Sequence, residues 1–162
     1  MPSYKAHRTT IPLYYRLFFL TIEPISALLG AFYAARPAEY LSLITLNNAP
    51  NGFTPNEPIP RAVTISLYQL SNLYLLFALN EALVLRSTDS LRTWKTVLFG
   101  LLVADIGHLI TMFPLGWEVY WRVLEWNSLV WGSVGFVYLG AVSRILFLTG
   151  VGLGTVRDKV KD

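Results

Sequence analysis

Residues 73–79 read Leu-Tyr-Leu-Leu-Phe-Ala-Leu, and residues 97–104 read Val-Leu-Phe-Gly-Leu-Leu-Val-Ala. Neither stretch holds a charge. A helix on the surface of a soluble bundle shows a polar stripe recurring at helical spacing, so two turns without one point to a helix that is apolar all round. Such a helix is buried in a large core or crosses a bilayer, and crossing needs ~20 mostly apolar residues. Working outward, four stretches meet that length: about Ile11 to Ala35, Val63 to Leu85, Val97 to Phe113 and Leu129 to Val151. The expected fold is all-α, an integral membrane four-helix bundle forming a single membrane domain over residues 1–162 (spans about 11–35, 63–85, 97–113 and 129–151). Its partner is the lipid bilayer.

Composition closes off the other classes. Of the 162 residues, 54% are hydrophobic and only 14% charged, the reverse of what keeps a chain disordered. The net charge of +3 is too small to build a basic face, so no nucleic-acid partner is expected. The absence of Cys rules out a disulfide framework, a zinc ribbon and a thiolate-held cluster. The first stretch is too long for the apolar region of a signal peptide, and no clear small-residue cleavage site follows it.

Basic residues set the orientation. Nine of the 13 Lys and Arg lie at the N-terminus and the start of the first span (Lys5, Arg8, Arg16), in the second loop (Arg86, Arg92, Lys95) and in the C-terminal tail (Arg157, Lys159, Lys161). Three (Arg36, Arg61, Arg122) lie in the other two loops, and Arg144 lies inside the fourth span. Both termini are therefore expected in the cytosol, as an even number of spans requires of a shared side.

The connections differ in kind. The loop from Arg36 to Ala62 carries Pro37, Pro50, Pro55, Pro58 and Pro60 and an Asn51-Gly52 pair, which punctuate turns and forbid a long helix. From Pro114 to Ser128, Trp117, Tyr120, Trp121 and Leu124 share one helical face, and Glu118, Arg122 and Glu125 the other. That pattern predicts a short interfacial helix between spans three and four, serving as an aromatic anchor or as a lid over a lipophilic cavity. The loop from Ser87 to Lys95 is a short hairpin connection in which Asp89 and Ser90 can cap the next helix. Ser26, Gly30 and Ala34, and likewise Gly132 and Gly140, are small residues that let helices approach closely. Pro24 should kink the first span and free a carbonyl one turn earlier. Gly150, Gly152 and Gly154 lack the preceding strand of a dinucleotide fingerprint and read as a flexible helix exit.

A charged group in a bilayer is expensive, so each marks a candidate site. Glu23, Glu81, Asp105, His108 and Arg144 lie well within the spans. At ~1.5 Å rise per residue, Glu23, Asp105, Arg144 and Glu81 lie roughly 16, 14, 10 and 7 Å from the cytosolic side. Arg144 thus has the reach to pair with each carboxylate. His108 shares a face with Asp105 at i, i+3, and Gln69, Asn72 and Asn80 form an amide row on span two. Two readings stand. One is a buried salt-bridge network that fixes helix register. The other is a polar site at the base of an apolar cavity, where a carboxylic acid kept protonated by desolvation protonates an olefin or epoxide. A second carboxylate or His108 then takes a proton back, while rings from Tyr68, Tyr74, Trp131 or Tyr138 hold the cationic intermediate. In that reading Glu23, Asp105 and His108 are the catalytic groups, and Gln69, Asn72, Glu81 and Arg144 bind or orient substrate. No metal and no cofactor is expected: two His residues, one of them His7 in the tail, build no metal cluster, and there is no Asp-rich motif. A Gly-x-Ser-x-Gly elbow is also missing.

The segments Ile11–Ala27 (IPLYYRLFFLTIEPISA), Leu70–Ala82 (LSNLYLLFALNEA), Ala104–Leu109 (ADIGHL) and Arg144–Gly150 (RILFLTG) resemble a fungal family of small four-span membrane proteins of unassigned function. The resemblance covers nearly the whole chain. It implies a fungal protein of the accessory kind found with secondary-metabolite genes, acting on a terpenoid, meroterpenoid or polyketide-derived substrate. In architecture the chain is also similar to the emopamil-binding (sterol isomerase-like) fold and to small membrane terpene cyclases. The function expected is a membrane-embedded cyclase or isomerase for a hydrophobic small molecule, set in the endoplasmic reticulum and served by a partner biosynthetic enzyme. The alternative is a non-catalytic membrane scaffold, chaperone or lipid-binding protein.

Overall fold

The computed structural model describes residues 8–46 and 58–156. Lys5, His7, Pro50, Asn51, Gly52, Pro55, Arg157, Lys159 and Lys161 lie outside the described residues. Four long helices carry the fold: α1 (Leu13–Ala34), α3 (Arg61–Leu85), α4 (Leu91–Thr111) and α5 (Ser128–Leu148), with a short α2 (Pro37–Ile44) after the first. All four are long and apolar enough to cross a membrane, so the chain is an all-α bundle that fits an integral membrane protein. Helix α1 packs along α3, and α4 along α5.

Several boundaries differ from expectation. Helix α4 starts at Leu91, not Val97. Arg92 and Lys95 therefore belong to its first turns, because Ser90 Oγ accepts the Thr93 N–H at 3.3 Å and caps the helix there. Trp94, in the same turn, is fully buried and donates from Nε1 to the Thr88 carbonyl. Helix α2 begins on Pro37, whose missing N–H costs nothing at a first helical position. The segment 113–125 forms three separate 3-10 turns instead of one helix: Phe113–Leu115, Trp117–Tyr120 and Val123–Glu125. Pro114 and the left-handed Gly116 (φ +95°) interrupt the helical run. Side chains then tie the turns down, with Tyr120 donating to the Leu109 carbonyl and Trp126 to that of Val119.

The glycines after α5 make an ordered exit, not a flexible one. Gly150 has φ +87°, Val151 N–H reaches Leu146 O at 2.9 Å and Gly150 N–H reaches Phe147 O at 3.0 Å. That is a Schellman turn, which needs a left-handed residue at its corner. It sends the chain back so that β2 (Gly154–Val156) pairs antiparallel with β1 (Arg8–Thr10), Thr10 opposite Gly154. These two three-residue strands, absent from the sequence expectation, clip the described ends together.

The largest core cluster sits at that same end, where α1 and α4 begin and α3 and α5 finish. Tyr15, Phe18, Phe19, Leu85, Trp94, Leu98 and Phe147 pack there. A second cluster at the opposite end joins Ala34, Tyr40, Leu67 and Leu129. Asn127 locks that end: its Oδ1 accepts from Leu129 and Val130 N–H at the start of α5, and its Nδ2 donates to the Leu43 carbonyl of α2 at 2.6 Å. Between the two clusters the bundle is hollow.

Candidate functional site

Each long helix sends one charged side chain to a single point. Arg144 of α5 donates from Nη2 to Glu23 Oε1 of α1 at 2.5 Å and to Glu81 Oε1 of α3 at 3.1 Å. From Nη1 it donates to Asp105 Oδ2 of α4 at 2.5 Å. Arg144 and Glu81 are almost wholly buried. Only a guanidinium offers a planar fork with enough donors to serve carboxylates on both its ends, and Phe19 closes one side of it, its ring centroid 5.8 Å from Cζ.

Irregular turns build this convergence. A π turn at Phe18–Ile22 ends immediately before Glu23, a second at Asn80–Leu85 contains Glu81, and a third lies at Trp131–Gly135 in α5. Such wide turns re-aim side chains and concentrate at functional sites. Pro24, following Glu23, has no N–H to offer the Leu20 carbonyl. Arg86 takes that place, its Nη2 donating to Leu20 O at 2.7 Å. The carbonyl expected to be freed by Pro24 is thus satisfied by the residue that follows α3.

The cluster is the floor of a cavity of about 340 Å³. Ser26, Ala27, Gly30 and Tyr33 of α1 form one wall, Tyr74 and Phe77 of α3 another, and Gly132, Phe136 and Val137 of α5 a third; Tyr40 of α2 and Leu129 line the far end. His108 lines it from α4, with its Nε2 3.0 Å from the Ser133 carbonyl in the third π turn. A carbonyl only accepts, so Nε2 carries a proton, and Nδ1 is the atom left to act as a base when the ring is neutral. Leu29 and Gly132 line the cavity yet are exposed. The mouth therefore opens sideways, between α1 and α5.

Three carboxylates face one guanidinium, and Glu23 Oε2, Glu81 Oε2 and Arg144 Nε have no partner among the described residues. With all four groups ionised the cluster carries two excess negative charges. An excess of that kind is costly in a medium without water, so it calls for protons on the cluster or positive charge in the cavity.

Of the sequence candidates, Glu23, Glu81, Asp105, His108 and Arg144 all line the cavity. Gln69 and Asn72 do not: both are exposed on the far side of α3, so the assignment of substrate contacts to them is corrected. Among the four aromatic candidates only Tyr74 lines the cavity; Tyr68, Trp131 and Tyr138 are exposed. Trp117, Trp121 and Leu124 are also exposed and absent from its walls. The covering element is α2 with Tyr40, not the 114–128 segment, which leaves that segment its aromatic-anchor reading. Tyr33, Tyr40 and Ser133 were not singled out from sequence. Ser26 and Gly30 line the cavity, and Gly30 also lets α1 approach α3 closely, since a Cβ there would stand 3.3 Å from the Tyr74 ring.

No curated protein and no solved structure matches the chain. Residues 8–154 match a family described as a domain of unknown function (DUF7704). With nearly its whole length covered, including every residue of the cluster and cavity, the chain belongs to the DUF7704 family.

Proposed function

We propose that the protein is a membrane-embedded cyclase or isomerase that acts by acid–base chemistry on a lipophilic secondary-metabolite intermediate of terpenoid, meroterpenoid or polyketide origin. One observation carries the reading: an aromatic-walled cavity stands directly on an acidic cluster that holds more carboxylates than its arginine can neutralise. Its volume lies at the small end of the ~300–1,000 Å³ usual for small-molecule sites. A carboxyl group of Glu23 or Asp105 gives its proton to an olefin or epoxide. The positive charge that forms is held by the remaining carboxylates and by the π faces of Tyr74 and Phe136. His108 Nδ1 or a carboxylate then removes a proton from a neighbouring carbon, so the substrate is rearranged with no net gain or loss of atoms. Arg144 keeps the carboxylates in place, and Glu81 adds to the negative field. The positive-inside bias supports cytosolic termini, and a substrate soluble in lipid suits the endoplasmic reticulum and hand-over from a partner biosynthetic enzyme.

Deletion in the native host with metabolite profiling tests this: an accumulated unrearranged precursor is expected, and an unchanged profile sinks the enzyme reading. Glu23→Gln and Asp105→Asn should each lower product by ~10²-fold or more, at near-normal membrane abundance. The rival reading, a non-catalytic scaffold, chaperone or lipid-binding protein, draws on the fact that Arg144 joins all four helices, as a purely structural network would. Under it, the same substitutions remove the protein from the membrane together with any phenotype, because breaking a buried pair costs roughly 3–5 kcal/mol.

A further inference from the structure

The outer face of α3 carries a pattern the cavity leaves unused. Ile65, Gln69, Asn72, Leu76 and Leu79 follow one another at alternating spacings of four and three, all within the regular α-helical part, Arg61–Leu79. All five are exposed. They lie opposite Tyr74, Phe77 and Glu81, which line the cavity. A repeat averaging 3.5 residues is the seam of a left-handed helix pair.

The two amides make the pattern more than a greasy stripe. Ser66 and Ser71 of the same helix satisfy their hydroxyls on the Ala62 and Ala31 carbonyls, whereas Gln69 and Asn72 find no hydrogen-bond partner among the described residues. Asn72 lies one residue from the middle of the 25-residue span Arg61–Leu85, where lipid has nothing to offer an amide. A partner helix must therefore supply both a donor and an acceptor at the same depth.

We propose that two copies of this chain pair in the membrane through α3, parallel and two-fold related, with Gln69 and Asn72 hydrogen-bonding across the seam. A second copy answers each requirement. An amide carries a donor and an acceptor together, so it satisfies its own twin. Two copies inserted the same way are parallel, which brings identical residues to identical depth. A two-fold contact is self-complementary by construction, and Ile65, Leu76 and Leu79 supply the apolar knobs above and below the amides. Interhelical side-chain hydrogen bonds then specify register in a solvent where burial of apolar surface gives no drive.

The chain has no cysteine, so single-Cys variants report without background. Full-length variants are reconstituted in phosphatidylcholine vesicles at low protein-to-lipid ratio and oxidised. Leu76→Cys and Leu79→Cys should give a cross-linked dimer. Leu73→Cys and Leu75→Cys, equally exposed on the flanks of α3, should give little. Gln69→Leu with Asn72→Leu in the Leu79→Cys background should lower the dimer fraction by about threefold to tenfold. Both positions are exposed and make no side-chain hydrogen bond among the described residues, so folding should be unaffected, and single-molecule photobleaching of cysteine-free protein should shift from two steps to one. Equal cross-linking at all four positions, no dimer at the seam, or a dimer indifferent to the double substitution each overturns the proposal. So does a purified chain that stays monomeric while the seam cysteines cross-link in native membranes to a protein of different mass.

Discussion

Gly140 is the residue whose smallness the acidic cluster depends on. A Cβ added there would stand 2.8 Å from Arg144 Nη1 and 3.1 Å from Glu23 Oε1, inside both contact distances. One methyl group would therefore push the guanidinium off its partners. Gly140→Ala should cost a few kcal/mol, up to the roughly 3–5 kcal/mol of a broken buried ion pair. The check is the melting temperature of the detergent-solubilised protein, with Gly107→Ala, where nothing stands within 4 Å of the added Cβ, as the control whose melting temperature holds or rises. At this scale the sequence was most informative where a residue conflicts with its surroundings. Glu23, Glu81, Asp105, His108 and Arg144 announce themselves because nothing but a partner makes a charge tolerable in an apolar span. Gln69 and Asn72 are anomalous too, but an amide is equally at home facing a cavity or another protein, and only the structure shows which side it takes. Tyr33 and Tyr40 carry no such conflict, since tyrosine is ordinary in a membrane helix, and so they stayed hidden.

The elements were legible in outline and opaque in detail. Length and hydropathy suffice for four spanning helices. Helix α2 did leave a trace, Pro37 at its first position and Glu39 in its first turn, but the neighbouring prolines mask it. The π turns leave almost none: over five or six residues that are nearly all apolar, a period of 3.6 cannot be told from a wider one. Pro24 beside the first is the sole mark. Yet these turns shape the cavity. In the third, Gly132 faces the mouth, with no atom within 4 Å of where its Cβ would stand. Gly132→Leu should therefore insert a side chain into the opening without strain, and a glycine removed from a helix is worth up to about 1 kcal/mol of stability. Product formation at equal abundance is expected to fall while the melting temperature holds or rises. Undiminished turnover would mean that substrate enters elsewhere.

At the scale of the whole molecule, the pairing of β1 with β2 fixes both described ends to one side of the bundle. Arg16 lies 3.8 Å from Asp89 in the α3–α4 connection, and Lys95 Nζ donates to the Leu148 carbonyl at the end of α5. Arg8, Arg16, Arg86, Arg92 and Lys95, five of the nine described basic residues, belong to this end of the bundle, which the positive-inside rule assigns to the cytosol. Cysteines introduced at Ser87 and at Leu124 should accordingly be labelled from opposite faces of sealed vesicles by a membrane-impermeant maleimide. Labelling from the same face would refute the four-span topology. The sideways mouth between α1 and α5 carries a last consequence, one of concentration. A molecule using it meets the protein from within the bilayer, so what governs occupancy is its mole fraction in lipid, not its molarity in water. Added empty vesicles or extra detergent would then act as a diluent, weakening apparent affinity in proportion to the lipid phase even though no competitor has been introduced.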